Sequence, residues 1–131
     1  MSKIKVVVLS LISIFIIGIS LFYFSNFVFP WEKKNAIETT LDWAGISQLP
    51  VNNEDISIEK RGSIFSRQFI LNFETSNKNI EDWIERETVF KNINPIQKNN
   101  SKTYNIKGKN GSFGGQIIIE NRKVLINMSW S

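Results

Sequence analysis

From Val6 to Phe24 the chain carries no charged side chain, and only three serines and one glycine interrupt its aliphatic and aromatic residues. As a helix this run is about 29 Å long, close to the roughly 30 Å hydrocarbon core of a bilayer. The core helix of a soluble domain needs one apolar stripe, not an apolar circumference. The stretch is therefore read as a membrane-spanning helix. Lys3 and Lys5 precede it, and Phe29, Pro30, Trp31, Glu32, Lys33 and Lys34 follow. Tryptophan favours the headgroup level, and a helix tends to end before a proline. Val6 and Phe24 bound the anchor, and Trp31 marks its interface. The expected organisation is a cytoplasmic tail over 1–5, an anchor over 6–29 and a small extracytoplasmic domain over 30–131.

A cleaved signal peptide is the rival reading. Gly18 and Ser20 supply small residues of the kind that precede a cleavage site, with the cut before Leu21. The apolar run continues through Leu21, Phe22, Tyr23 and Phe24, however, and bulky residues persist to Phe29, which favours retention. Cleavage would leave a secreted or periplasmic domain. Two lysines lie on each side of the span, so the positive-inside count is nearly tied. The short N-terminal tail then decides the expectation: N-terminus cytoplasmic, C-terminal domain outside.

The residues that follow the anchor suffice for one small domain with its own core and not for two. The chain has no cysteine and no histidine. That removes disulfides, thiolate nucleophiles, lipoprotein anchoring, serine–histidine and cysteine–histidine catalysis, and the usual zinc sites. Isoleucine, asparagine and lysine are frequent while alanine occurs only at Ala36 and Ala44, a bias read as AT-rich coding and not as function.

Along the domain, Ala36, Ile37, Thr40, Leu41 and Ala44 form a helical stripe over 35–45, with Gly45 placed as its C-cap and Pro50 beyond. Ile56 and Ile58 alternate in a first strand. Phe65, Arg67, Phe69, Leu71 and Phe73 share one face of a second, with Arg67 expected near the end of the sheet or beside a carboxylate such as Glu59. A break rich in N-cap residues over 75–79 leads into a helix over 80–90, with Ile80, Trp83, Ile84 and Glu87 on one face. Residues 92–102 read as a loop. Three strands close the chain: 104–107, 116–120 and 124–130. Asn110-Gly111 is a strong hairpin signal. The expected fold is α+β: an N-terminal transmembrane helix, then two helices on an antiparallel sheet of about five strands, in the order helix-strand-strand-helix-strand-strand-strand.

No motif carries chemistry. The glycine-rich run Gly108–Gly115 lacks the following helix that a phosphate loop requires, and reads as a hairpin connection. Glu81, Asp82 and Glu85 lack an oxygen-rich loop for a hard cation and read as a solvated helix face. Ser112 beside Lys109 is the weak candidate for a serine–lysine hydrolase; paired carboxylates are the other. Charge is uneven. Residues 31–90 hold seven basic and eleven acidic side chains, and residues 91–131 hold seven and one. The two hairpin connections of the basic third are expected to bring Lys107, Lys109, Arg122 and Lys123 onto one binding face. The partners that follow are the lipid bilayer and an acidic envelope protein or anionic headgroups, with no nucleic acid, no cofactor and no catalytic or metal-binding residues. The expected function is a membrane-anchored, non-catalytic binding module. A secreted inhibitor or immunity-type protein is the alternative.

Overall fold

The structure, a computed structural model, describes residues 2–23, 28–62 and 65–130. Helix α1 (Lys3–Tyr23) runs 21 residues, or about 32 Å. Its window Lys3–Phe22 is long and apolar enough to cross a membrane, and none of it is buried against the rest of the protein. Its serines do not interrupt the apolar surface. Ser10, Ser13 and Ser20 each donate their hydroxyl to the carbonyl four residues back, at 2.9 Å. A hydroxyl satisfied within its own helix needs no outside partner. Val6 lies exposed on α1 and Trp31 is 77% exposed; Phe24 lies outside the described residues.

Helix α2 (Pro30–Ala44) begins earlier than its apolar stripe predicts. Pro30 occupies the first helical position, where a missing N–H costs nothing and the fixed φ helps. Glu32 reaches back to accept the Phe29 N–H at 3.4 Å. The Phe29 ring lies 5.5 Å from Phe22 of α1 and stacks on Trp31 at 4.6 Å. Gly45 caps the other end with φ 73°; its N–H reaches the Asp42 carbonyl, and that of Ile46 the Leu41 carbonyl. This is the double bond of a Schellman cap.

The sheet has six antiparallel strands in the order β1-β2-β6-β5-β4-β3. They are β1 (Glu54–Gly62), β2 (Arg67–Glu74), β3 (Ile96–Lys98), β4 (Ser101–Lys107), β5 (Gly114–Glu120) and β6 (Lys123–Trp130). The strand beyond the expected five is β3, in the stretch read as a loop. It spans three residues, all exposed, so it carries no alternation to read. Register aligns Leu71, Ile126, Ile117 and Tyr104 as one buried row, and Phe73, Val124 and Ile119 as the next. Gly115 sits beside the Phe69–Met128 row because a Cβ there would fall 1.7 Å from the Asn127 carbonyl oxygen.

Helices α2 and α3 (Asn77–Arg86) cover this face. Phe73, Trp83, Phe90 and Tyr104 form an edge-to-face chain at 6.0, 5.0 and 4.8 Å between successive rings, a favoured geometry for aromatic packing. Among the described residues no helix covers the other face, and its amides bond to each other: Gln68 to Asn127 at 2.7 Å and Gln116 to Asn105 at 3.2 Å. Arg67 opens β2 at the sheet's end, and Glu59 pairs with Arg61 at 3.1 Å.

Ser76 caps α3 by accepting the Asn79 N–H at 3.2 Å. The helix stops before the expected Phe90 because Glu87 leaves helical geometry, at φ −82° and ψ 124°, and a 3-10 turn (Thr88–Asn92) follows. Glu87 is 3% exposed. Its carboxylate accepts the Ser47 N–H at 3.0 Å, the Ser47 hydroxyl at 2.7 Å and the Gln48 N–H at 3.1 Å. Burial alone pushes this carboxyl up. The three donors and the neighbouring Arg86 guanidinium outweigh it and hold the group below its ordinary 4.5.

Because the folded value is the lower one, this stabilisation is fully present above about pH 4.5 and is lost as pH falls through the folded value. Glu87→Gln keeps one acceptor and sets an amine against the remaining donors. The expected cost near neutral pH is about 1–3 kcal/mol. Denaturant unfolding of the full chain in micelles should show that gap narrowing on acidification below the ordinary carboxyl value. A gap independent of pH would contradict the assigned role.

Candidate functional site

The four basic residues expected on one face fall into two pairs. Lys107 ends β4 opposite Gly114, and Lys109 lies in the connection that follows. Lys123 stands opposite Glu120, with Arg122 in the β5–β6 turn. Consecutive connections of an antiparallel meander lie at alternate ends of the shared strand, and the seven residues of β5 separate them by about 20 Å. Each pair also has local work. Arg122 donates Nε–H to the Thr75 carbonyl at 3.4 Å, and the Thr75 N–H returns a bond to the Arg122 carbonyl at 3.1 Å. Lys123 lies 3.9 Å from Glu74.

The Lys109 N–H donates to the Trp43 carbonyl at 3.1 Å, and its side chain lies over Gly45, where a Cβ would meet Cδ and Cε at 3.1 Å. The Ser112 hydroxyl points to the same Trp43 carbonyl at 3.5 Å. The glycine-rich connection is thus a latch onto the end of α2. Its turn uses left-handed backbone at Asn110 (φ 54°) and Gly111 (φ 86°), as Asn-Gly hairpins do. Tyr104, whose phenol burial pushes up, and Glu87 both belong to the covered core. Among the described residues no group of three or more carboxylates is placed to hold a metal ion.

A candidate groove lies at the end of the sheet where Arg122 and Lys123 stand. A cavity of about 340 Å³ opens between α3 and the β3–β4 and β5–β6 turns. Ile80, Ile84 and Ile119 supply its apolar lining. Asn77, Gln97, Asn99, Asn100 and Asn121 surround them, with Glu81 from α3 and Lys102 from β4. Among the described residues none of these seven polar side chains makes a hydrogen bond or ion pair within the protein. The amides of the open sheet face, by contrast, bond to one another. The volume is at the small end for ligand pockets, and neutral amides, each both donor and acceptor, match a ligand with amide and hydroxyl groups.

No sequence motif marks this groove. Its asparagines come from two separate turns and a helix start, and only the fold brings them together. Glu81, read as part of a solvated face, lines it. The tryptophans sort differently: Trp83 is core, Trp43 packs 5.5 Å from Phe69, and Trp31 and Trp130 are exposed. Comparison with family models, with curated proteins and with solved structures finds no match to this chain.

Arg122→Ala is expected to lower stability by about 0.5–1.5 kcal/mol through the lost bond to Thr75, while Lys107→Ala changes it by less than about 0.5 kcal/mol. Denaturant midpoints of the two variants check this, and equal losses would contradict the division of the basic residues.

Proposed function

We propose that this protein is a single-pass membrane protein, N-terminus cytoplasmic, whose C-terminal domain acts outside the cytoplasm as a non-catalytic binding module. The observation that carries the reading is a separation of roles. The apolar surface of α1 is wholly unburied, and the core of the domain includes no residue of α1. A bilayer is the solvent that such a helix requires. The groove beside α3 supports binding as the domain's task, and its polar atoms favour a neutral ligand bearing amide and hydroxyl groups.

The same separation favours one other reading. A core that closes without α1 would survive cleavage, leaving a secreted domain of inhibitor or immunity type. Fractionation of the full chain with a C-terminal tag separates the two. The expected product is full-length, resists alkaline carbonate washing and is digested by protease added outside the membrane. A shortened soluble product would establish the secreted form instead.

Binding is tested by titrating the full chain in micelles with N-acetylated oligosaccharides and N-acetylated peptides while recording amide chemical shifts. Gln97→Ala combined with Asn100→Ala should weaken binding by about tenfold, equivalent to roughly 1.4 kcal/mol, with the unfolding midpoint unchanged. Absence of shifts at the groove, or equal affinity in the variant, would overturn the assignment.

A further inference from the structure

Three parts of the chain lie at the end of the sheet opposite the groove: residues 65–66 before β2, the β4–β5 connection and the end of β6. Each presents an aromatic side chain to solvent. Phe65 is 81% exposed, Phe113 74% and Trp130 43%. Strand direction puts them at one end of the domain. Arg67, two residues from Phe65, stands opposite Trp130. Trp130 Nε1 lies 3.5 Å from where a Cβ on Gly111 would be, and the Phe113 N–H bonds to the Ser129 carbonyl at 2.9 Å. Core formation does not explain such a row, because most of the Phe65 and Phe113 surface stays in solvent.

The same end receives the chain from α1. Val28 lines a cavity with Lys60, Arg67 and Phe69, at the base of the β1–β2 connection. Phe29, joined to Phe22 of α1 by ring contact, stacks on the exposed Trp31. The exit from the apolar helix and the aromatic tips therefore share one end of the domain. Arg61, Lys107 and Lys109 stand among those tips, and the nearby carboxylates Glu59 and Glu32 are already paired with Arg61 and Lys60.

We propose that this end, Phe65, Phe113 and Trp130 flanked by Lys107 and Lys109, docks on the anionic headgroup layer of the same membrane that holds α1. The inference rests on the reading of α1 as a membrane span. Aromatic rings and basic side chains are the residue types that favour the interface, the rings through their amphipathic edges and the cations through the negative surface potential. Tethering lowers the cost of this contact, because the surface is already within reach of a short linker.

The chain has no cysteine, so a single introduced one gives a unique probe. Full-length Phe65→Cys, Phe113→Cys, Asn100→Cys and Ile12→Cys variants, labelled with an environment-sensitive dye, are reconstituted in phosphatidylglycerol–phosphatidylcholine vesicles containing nitroxide lipids. Quenching at 65 and 113 should exceed that at 100 several-fold, and 12 should be quenched most. In phosphatidylcholine alone, and in a Lys107→Glu/Lys109→Glu background, quenching at 113 should fall.

Quenching at 12 with none at 65 and 113 would overturn the docking and leave the anchor standing. No quenching at 12 would overturn the anchor and the docking with it. Equal quenching at 113 in the two lipids would overturn the part assigned to the lysines.

Discussion

The covered face of this fold depends on seven of the nine residues between α2 and β1. Residues 47–53 belong to no helix and no strand, yet side chains serve their backbone groups. Glu87 takes the N–H groups of Ser47 and Gln48. Trp83 donates its indole N–H to the Gln48 carbonyl at 2.8 Å, and Arg86 reaches the Leu49 carbonyl at 3.2 Å. Asn53 serves Pro50, while Thr75 and Asn79 both donate to Val51. Backbone polar groups removed from water need partners. Here the last turn of α3 and the β2–α3 corner supply nearly all of them. No buried side-chain nitrogen or oxygen is left without a partner among the described residues.

That arrangement explains why both helices share one side. α2 ends at Gly45, and its continuation is pinned to α3, so the two helices are fastened to each other across the sheet. Trp83 does double duty: its ring fills the core between Phe73 and Phe90 while its N–H holds the connection. Burying Glu87 is costly unless its charge is met by donors, and three donors meet it. A neutral residue of similar size would fill the space and release the segment. The bare face of the sheet follows from the same economy of elements, since among the described residues the domain has no third α-helix to cover it, and its amides satisfy one another.

Several features were legible in the sequence because they depend on local physics. The apolar run of α1, the glycine C-cap at Gly45, the Asn110-Gly111 turn and the alternation of β2 and β6 each require only neighbouring residues. β3 was not legible, because three exposed residues show no period. Nor was the early end of α3: a glutamate at that spacing looks like one more helical position until Ser47, forty residues away, claims its carboxylate. The asparagines were set aside as coding bias. Asn52, Asn99, Asn110 and Asn121 in fact take left-handed backbone at turns, a conformation asparagine tolerates better than most residues. The basic face failed for a topological reason. Charge counts along a chain do not say at which end of a strand each connection lies.

Strand direction then gives the domain a polarity. The aromatic tips and the exit from α1 occupy one end, and the uncommitted amides of the groove the other, separated by strands of seven or eight residues. With the aromatic end against the headgroups, the groove opens about 20 Å from the lipid surface. That exceeds the roughly 8 Å over which a charged surface is felt at physiological salt. On the proposed reading, a ligand there would be recognised outside the field of the membrane, where selection rests on hydrogen-bond geometry and not on charge. Five amides and one residue of each sign, Glu81 and Lys102, line the groove, and on the proposed reading its ligand would need no net charge to be held.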